Sequence, residues 1–347
     1  MEPRHDEPVV VGIDRSADSS RALAYAVCEA EREHCSLWLI TAVHDVVPVG
    51  PMLPLLASDP LVDVGHERLA EADALVERLS EGRVRTRLQV ALGPAAELLA
   101  TAGRQARLVV LGHRDGTRAQ RLFTGSTTFG VVARATCPVV SVPEVWDQGR
   151  EHGRLVAGVD GSAGSAAVLA RAFALAAQRG ARLEILHCWR LDPFYSYLVD
   201  EWSVQQEWGT QSHRIIDGLV ARAAAGYPGV RYETRMEYAD VADTLVRRAA
   251  EADVLVIGRH GRGGLGTRMV SSVLGTVTRT VLQHAPCPVE VVPVPARVEA
   301  APETADETTE ATADVTTDVT ADETVDESTE DTRPSPPPGA LPEEAPS

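Results

Sequence analysis

The feature that most limits what this chain can fold into is that its first 297 residues state one pattern twice. Val9-Val10-Val11-Gly12-Ile13-Asp14-Arg15-Ser16 returns 146 positions later as Leu155-Val156-Ala157-Gly158-Val159-Asp160-Gly161-Ser162. The same offset carries Leu37–Ile40 onto Leu183–Leu186 and Leu108–Gly112 onto Val254–Gly258. Beyond Gly112 the offset becomes 150, because Cys137-Pro138-Val139 answers to Cys287-Pro288-Val289. A unit this long, present twice, is a duplicated domain rather than a solenoid repeat. The expected boundaries are 7–145 for the first domain, 146–153 for a linker, 154–296 for the second domain and 297–347 for a tail.

Within each unit, short apolar runs alternate with stretches of helical period. In the first unit, Val9–Ile13, Leu37–Val43, Leu108–Leu111 and Val139–Val142 are nearly continuous in hydrophobicity, as strands buried on both faces are. Val84–Val90 adds an alternating fifth strand. Helices are expected over Asp18–Glu33, Glu67–Leu79, Pro94–Arg104 and Ser126–Arg134, with capping residues between Ser16 and Ser20. Strand–helix alternation predicts an α/β fold: two tandem doubly wound domains, each a five-stranded parallel sheet flanked by helices. In such sheets ligands sit at the carboxyl ends of the strands, where Asp14, Val43 and Gly112 fall.

Charge matters here mainly by its location. The formal net charge is −17, yet Val298–Ser347 holds 15 acidic residues against Arg333 alone, which leaves the body at −3. A near-neutral body offers no footprint for nucleic acid or an anionic membrane. The tail of Thr, Asp, Glu, Ala and Val has too few large apolar residues for a core and is predicted to be disordered. Five scattered cysteines without a CxxC pair, a charged N-terminus without an apolar signal core and no membrane-length apolar run predict a cytoplasmic protein. The chain has no lysine, so any phosphate must be held by backbone amides and arginine.

The densest chemistry follows the fourth strand. The first unit reads Gly112-His113-Arg114-Asp115-Gly116, then Gly125-Ser126 at a helix start; the second reads Gly258-Arg259-His260-Gly261-Arg262-Gly263-Gly264, then Gly275-Thr276. Glycines let main-chain N–H groups approach an anion, and a helix N-terminus adds free amides and its dipole. These residues, with the strand-one aspartates and the Cys-Pro-Val entries, resemble the universal stress protein family in its tandem form, over about Glu7–Val294. The family's signature is Gly-x2-Gly-x9-Gly-(Ser/Thr).

The resemblance implies binding of ATP, with Mg²⁺ bridging the phosphates where an acid intrudes, by a nucleotide-linked stress-response regulator that is not a turnover enzyme. Asp14, Ser16, Asp160 and Ser162 would stand beside the nucleoside, and Val43 and Trp189 near the adenine. Gly112, Gly116, Gly125 and Ser126 would line the phosphates of the first unit, and Gly258, Gly261, Arg262, Gly275 and Thr276 those of the second. Each unit departs from the signature: Asp115 replaces the second glycine of the first, and the second has x13 before Gly275-Thr276. The second, with its intact Gly258-x2-Gly261, is the stronger candidate. The two units are expected to pack as an intrachain pseudo-dimer through their last strands, with whole chains free to dimerise further.

Other readings of the same residues stand. Asp14 and Asp160 can be helix caps, and the loop can be a tight turn in an interaction module that has lost its nucleotide. A slow ATPase would need a base that no motif places, and there is no Walker lysine. Scattered histidines such as His44, His113, His187 and His260 lack metal-ligand spacing. The aromatics Trp189, Phe194, Tyr195, Tyr197, Trp202 and Trp208 suit packing or shelter for a base.

Overall fold

The computed structural model describes residues 7–43, 59–113, 126–190, 201–260 and 274–293, all within one compact unit. Gly116, Gly125, Gly261, Arg262, Asp115, the aromatics at 194–197 and the acidic tail lie outside the described residues. In the first repeat the elements are β1 (Val9–Gly12), α1 (Ala17–Glu33), β2 (Leu37–Val43), α2 (Asp59–Ser80), β3 (Thr86–Leu92), α3 (Ala95–Ala102), β4 (Leu108–Gly112), α4 (Ser126–Arg134) and β5 (Val139–Val142). The second repeat follows with β6 (Arg154–Gly158), α5 (Ala163–Arg179), β7 (Arg182–Trp189), α6 (Glu201–Ala224), β8 (Tyr232–Tyr238), α7 (Val241–Ala249), β9 (Val254–Gly258), α8 (Thr276–His284) and β10 (Val289–Val292).

The strands form one ten-stranded sheet in the order β3-β2-β1-β4-β5-β10-β9-β6-β7-β8. Each half is parallel throughout, and the halves meet where β5 and β10 pair antiparallel, with Val140 opposite Glu290. Strand order reverses around β1 in the first half and β6 in the second, so each half has its own crevice between two strand ends.

Because side chains alternate along a strand, each strand feeds two layers. Val9 and Val11 of β1 join α1 and α2 in one core, whereas Val10 faces α3 and α4. On the latter face the core runs unbroken from Val10, Leu99 and Val131 to Leu245, Val281 and Val291 of the second repeat. On the opposite face it is split, with α1 and α2 over one half and α5 and α6 over the other.

Two elements differ from expectation. β3 runs two residues later than the 84–90 reading, because Val84 is used to close the turn after α2: it is 7% exposed, and its N–H donates to Ser80 Oγ at 3.4 Å. α2 begins at Asp59, with Pro60 in the first turn, where a missing N–H has no helical partner to lose.

Candidate functional site

The first strand of each repeat ends in a turn built on its aspartate. Asp14 Oδ1 accepts the Ser16 N–H at 2.8 Å and also the Ser16 hydroxyl, while the Asp14 N–H donates to Ser19 Oγ at 3.1 Å. Ser16 then caps α1, its hydroxyl oxygen accepting the Ser19 N–H at 3.1 Å. In the second repeat Asp160 Oδ1 accepts the Ser162 N–H at 3.0 Å and the Ser165 hydroxyl at 2.9 Å. Ser165 Oγ also receives the Asp160 and Gly161 N–H groups at 3.2 and 3.0 Å, and Ser162 caps α5 without a side-chain bond. Both aspartates therefore organise the strand-to-helix turn, whatever else they touch.

The second strands brace the same carbonyls. Thr41 Oγ1 donates to the Ile13 carbonyl at 2.7 Å; at the equivalent place His187 Nδ1 lies 2.8 Å from the Val159 carbonyl. Val43 and Trp189 end these strands, and their carbonyls accept the N–H groups of Gly93 at 3.0 Å and Ala239 at 3.2 Å. Val43 is buried, whereas the Trp189 ring meets Tyr238 edge-on with centroids 4.9 Å apart.

The fourth strands end in Gly112 and Gly258, and these two glycines differ. A Cβ at Gly112 would lie 2.4 Å from the Asp18 carbonyl oxygen, so β4 ends directly against the first turn of α1. Among the described residues, a Cβ at Gly258 would meet Val168 Cγ2 at 3.5 Å and the His260 carbonyl oxygen at 3.6 Å, ordinary van der Waals distances. The helices that follow start in register with the 150-residue offset, α4 at Ser126 and α8 at Thr276, with Gly275 as N-cap. Thr128 Oγ1 reaches the Gly112 carbonyl at 3.5 Å, and Thr278 Oγ1 the Gly258 carbonyl at 3.0 Å. The repeat thus ties strand end to helix start twice, by the same hydroxyl.

In the first repeat these parts enclose a cavity of about 250 Å³. Asp14, Ser16, Asp18, Ala42, Gly112 and Thr127 line it, so the crevice brings together residues nearly the length of a domain apart in sequence. Ile40 and Ala42, rather than Val43, form the β2 wall. Asp18, in the first turn of α1, lines the same cavity as Asp14, and the sequence alone does not single it out. It pairs with Arg21 at 2.7 Å. Its equivalent in the second repeat is Gly164, which carries no charge.

Arg259, directly after Gly258, leaves its own repeat. Its guanidinium donates to the carbonyls of Ala133, at 3.1 Å, and Ala135, at the end of α4. Burial pulls the Arg259 guanidinium below its usual range. Nearby, Arg279 of α8 lies over the Phe129 ring of α4 at 5.3 Å. Among the described residues no three His, Cys, Asp or Glu side chains gather as a metal cluster. No helix among them is long and apolar enough to cross a membrane.

Comparison with known proteins agrees with the tandem fold. The model of the "Universal stress protein family" matches residues 7–143 and again 151–293. A universal stress protein of Mycolicibacterium smegmatis is 31% identical over 294 residues, covering 82% of this chain and 96% of its own. One from Mycobacterium tuberculosis is also 31% identical, covering 82% and 95%. Among solved structures, a universal stress protein from Archaeoglobus fulgidus superposes with a TM-score of 0.61 at 18% identity, over 84% of this chain and 97% of that one.

Proposed function

The chain belongs to the universal stress protein family, and on that premise we propose that it binds an adenine nucleotide, ATP first among them, at its two strand-end crevices. The reading rests on one observation above others. Asp14, Gly112 and the start of α4 converge on a cavity of about 250 Å³ at the point where strand order reverses. That volume suits a nucleoside, and it leaves the phosphates to the segment that follows Gly112 and to the amides opening α4. Mg²⁺ would arrive as the counter-ion of the triphosphate.

In the second crevice the wider clearance at Gly258, the uncharged Gly164 and the Trp189 ring favour tighter binding there. The role that follows is a nucleotide-linked stress-response regulator: binding, in a chain that has no lysine and no base placed by a sequence motif. Asp18 on the wall of the first cavity favours a second reading for that repeat alone, an interaction module without nucleotide.

Isothermal titration of the full chain with ATP, AMP and cyclic AMP tests both readings. The expected result is heat with ATP, and a tighter site weakened by Thr276→Val more than by Ser126→Ala. No heat with any of the three nucleotides overturns the proposal. Equal loss from both variants overturns the ranking of the sites.

A further inference from the structure

The join between the repeats has a largely apolar face and a charged face, and the repeats differ most on the charged one; on the first, the unlike contacts are Arg279 over Phe129 and Arg259 against the end of α4. On the apolar face, equivalent positions carry matching residues: Val131 and Val281, Ala135 and Ala285, Cys137 and Cys287, Val139 and Val289. Burial of these side chains rewards any pairing of two units, because hydrophobic association has no direction.

The other face is not symmetric. Arg179 of α5 reaches α1, bonding Glu29 at 2.7 Å and the Tyr25 hydroxyl at 2.9 Å. Arg171 of α5 lies 2.5 Å from Glu290 of β10 and 3.6 Å from Glu33 of α1. Glu29 and Glu290 are each 1% exposed. Burial alone would lower the Arg171 and Arg179 guanidiniums, yet Glu290 beside the first, and Tyr25 and Glu29 beside the second, hold both above their usual range. By the repeat offset, Tyr25 is the equivalent of Arg171, Glu33 of Arg179, Glu29 of Leu175 and Val140 of Glu290. At every one of these sites the two repeats hold residues of different charge.

The contacts across the join follow the pseudo-two-fold: position 25 or 171 of one repeat meets position 33 or 179 of the other. Two second repeats joined this way would set Arg171 against Arg179 twice. Because Val140 and Glu290 are paired neighbours in the sheet, such a pair would also bury Glu290 directly opposite Glu290. Two first repeats would bring Glu29 and Glu33 of one against Glu33 and Glu29 of the other. Arg32 and Arg107 of the same repeat offset those acids only in part, the first at 2.7 Å from Glu29 and the second paired to Glu33.

We propose that Glu29, Glu33, Arg171, Arg179 and Glu290 form a pairing code that makes each repeat select its unlike partner and reject a second copy of itself. The apolar face supplies the attraction common to all pairings, and the buried charges choose among them. The duplication is then a fixed heterodimer on one chain, and whole chains cannot associate through this sheet edge by matching like repeats.

The test begins with the full chain, given a specific-protease site at exposed Gly149 and cut after folding. The nicked protein is taken through reversible unfolding in urea and returned to buffer. Native mass spectrometry then counts the pairs, since the two halves differ in mass. Unlike pairs are expected, with like pairs below about a tenth of the total; random pairing would put like pairs near a half. A like-pair share near that half overturns the proposal, and so does separation into unpaired halves. With the seam uncharged (Glu29→Leu, Glu33→Gln, Arg171→Met, Arg179→Met, Glu290→Val), the like-pair share should rise several-fold. If that protein folds and still forms unlike pairs only, these five side chains do not do the choosing and the proposal fails. If it does not refold, the count on the nicked native sequence decides alone.

Discussion

The two repeats share a skeleton and differ in what stands around it. Both end β1 or β6 in an aspartate turn, and both brace the strand-end carbonyl from the next strand, by Thr41 in one and His187 in the other. Both tie a glycine carbonyl to a threonine two residues into a helix. The first repeat is closed tightly at Gly112 and lined by Asp18; the second is more open at Gly258 and carries Gly164, Trp189 and a network of arginines around Glu184. Once the backbone latch is kept, the side chains facing a crevice or a join are free to diverge, because they set ligand and partner rather than fold.

Substitutions at equivalent positions would sharpen this comparison. The largest effect is expected at the join. Arg179→Met leaves buried Glu29 with Arg32 as its remaining cation and should lower unfolding free energy by about 3 kcal/mol in urea titration, the low end of the cost of breaking a buried pair. Adding Glu29→Leu, the residue type the second repeat carries there, should recover most of that loss. Next comes the glycine contrast. Gly112→Ala should cost about 2–3 kcal/mol, since its methyl would press on the α1 backbone, while Gly258→Ala should cost well under half as much. Equal costs would mean that the two strand ends are not differently packed.

Ser165→Ala removes a hydroxyl that serves two N–H groups and a carboxylate, and should cost about 1–2 kcal/mol; Ser19→Ala should cost less. Asp18→Asn, by removing a carboxylate from the cavity wall, should tighten ATP at the first crevice about fivefold and leave the second unchanged. The last effect needs no substitution and is alkaline. Burial pushes the Cys137 and Cys287 thiols up to about 12 and Cys188 to about 11, from 9. The folded state holds these protons more tightly than the unfolded one. Their contribution is complete below pH 9 and is lost as pH climbs toward 12, so the urea midpoint should hold steady to about pH 9 and then fall. Cys188→Ala should soften that decline.

Much of the fold was legible in the order of residues. Continuous apolar strands, helical spacing and the return of Val9–Asp14 as Leu155–Asp160, with Gly and Asp in place, are local signals, and each follows from a backbone that must bury its polar groups in a sheet. The alignment of Gly275-Thr276 with Gly125-Ser126 could be reasoned from their shared distance to Cys-Pro-Val, and α4 and α8 start at those positions. Asp18 escaped because a helix-start acid looks like an ordinary first-turn residue until β4 is seen ending against it.

Each repeat by itself determined its strands, its turns and the residues carried to its strand ends, because periodicity and capping act within a few residues. The tertiary structure alone decided which of those residues meet: Asp14 with Gly112, Arg259 with the end of α4, Arg179 with Glu29. Such meetings depend on strand order and on the antiparallel closure of β5 against β10, and no local pattern encodes a distance across 150 residues.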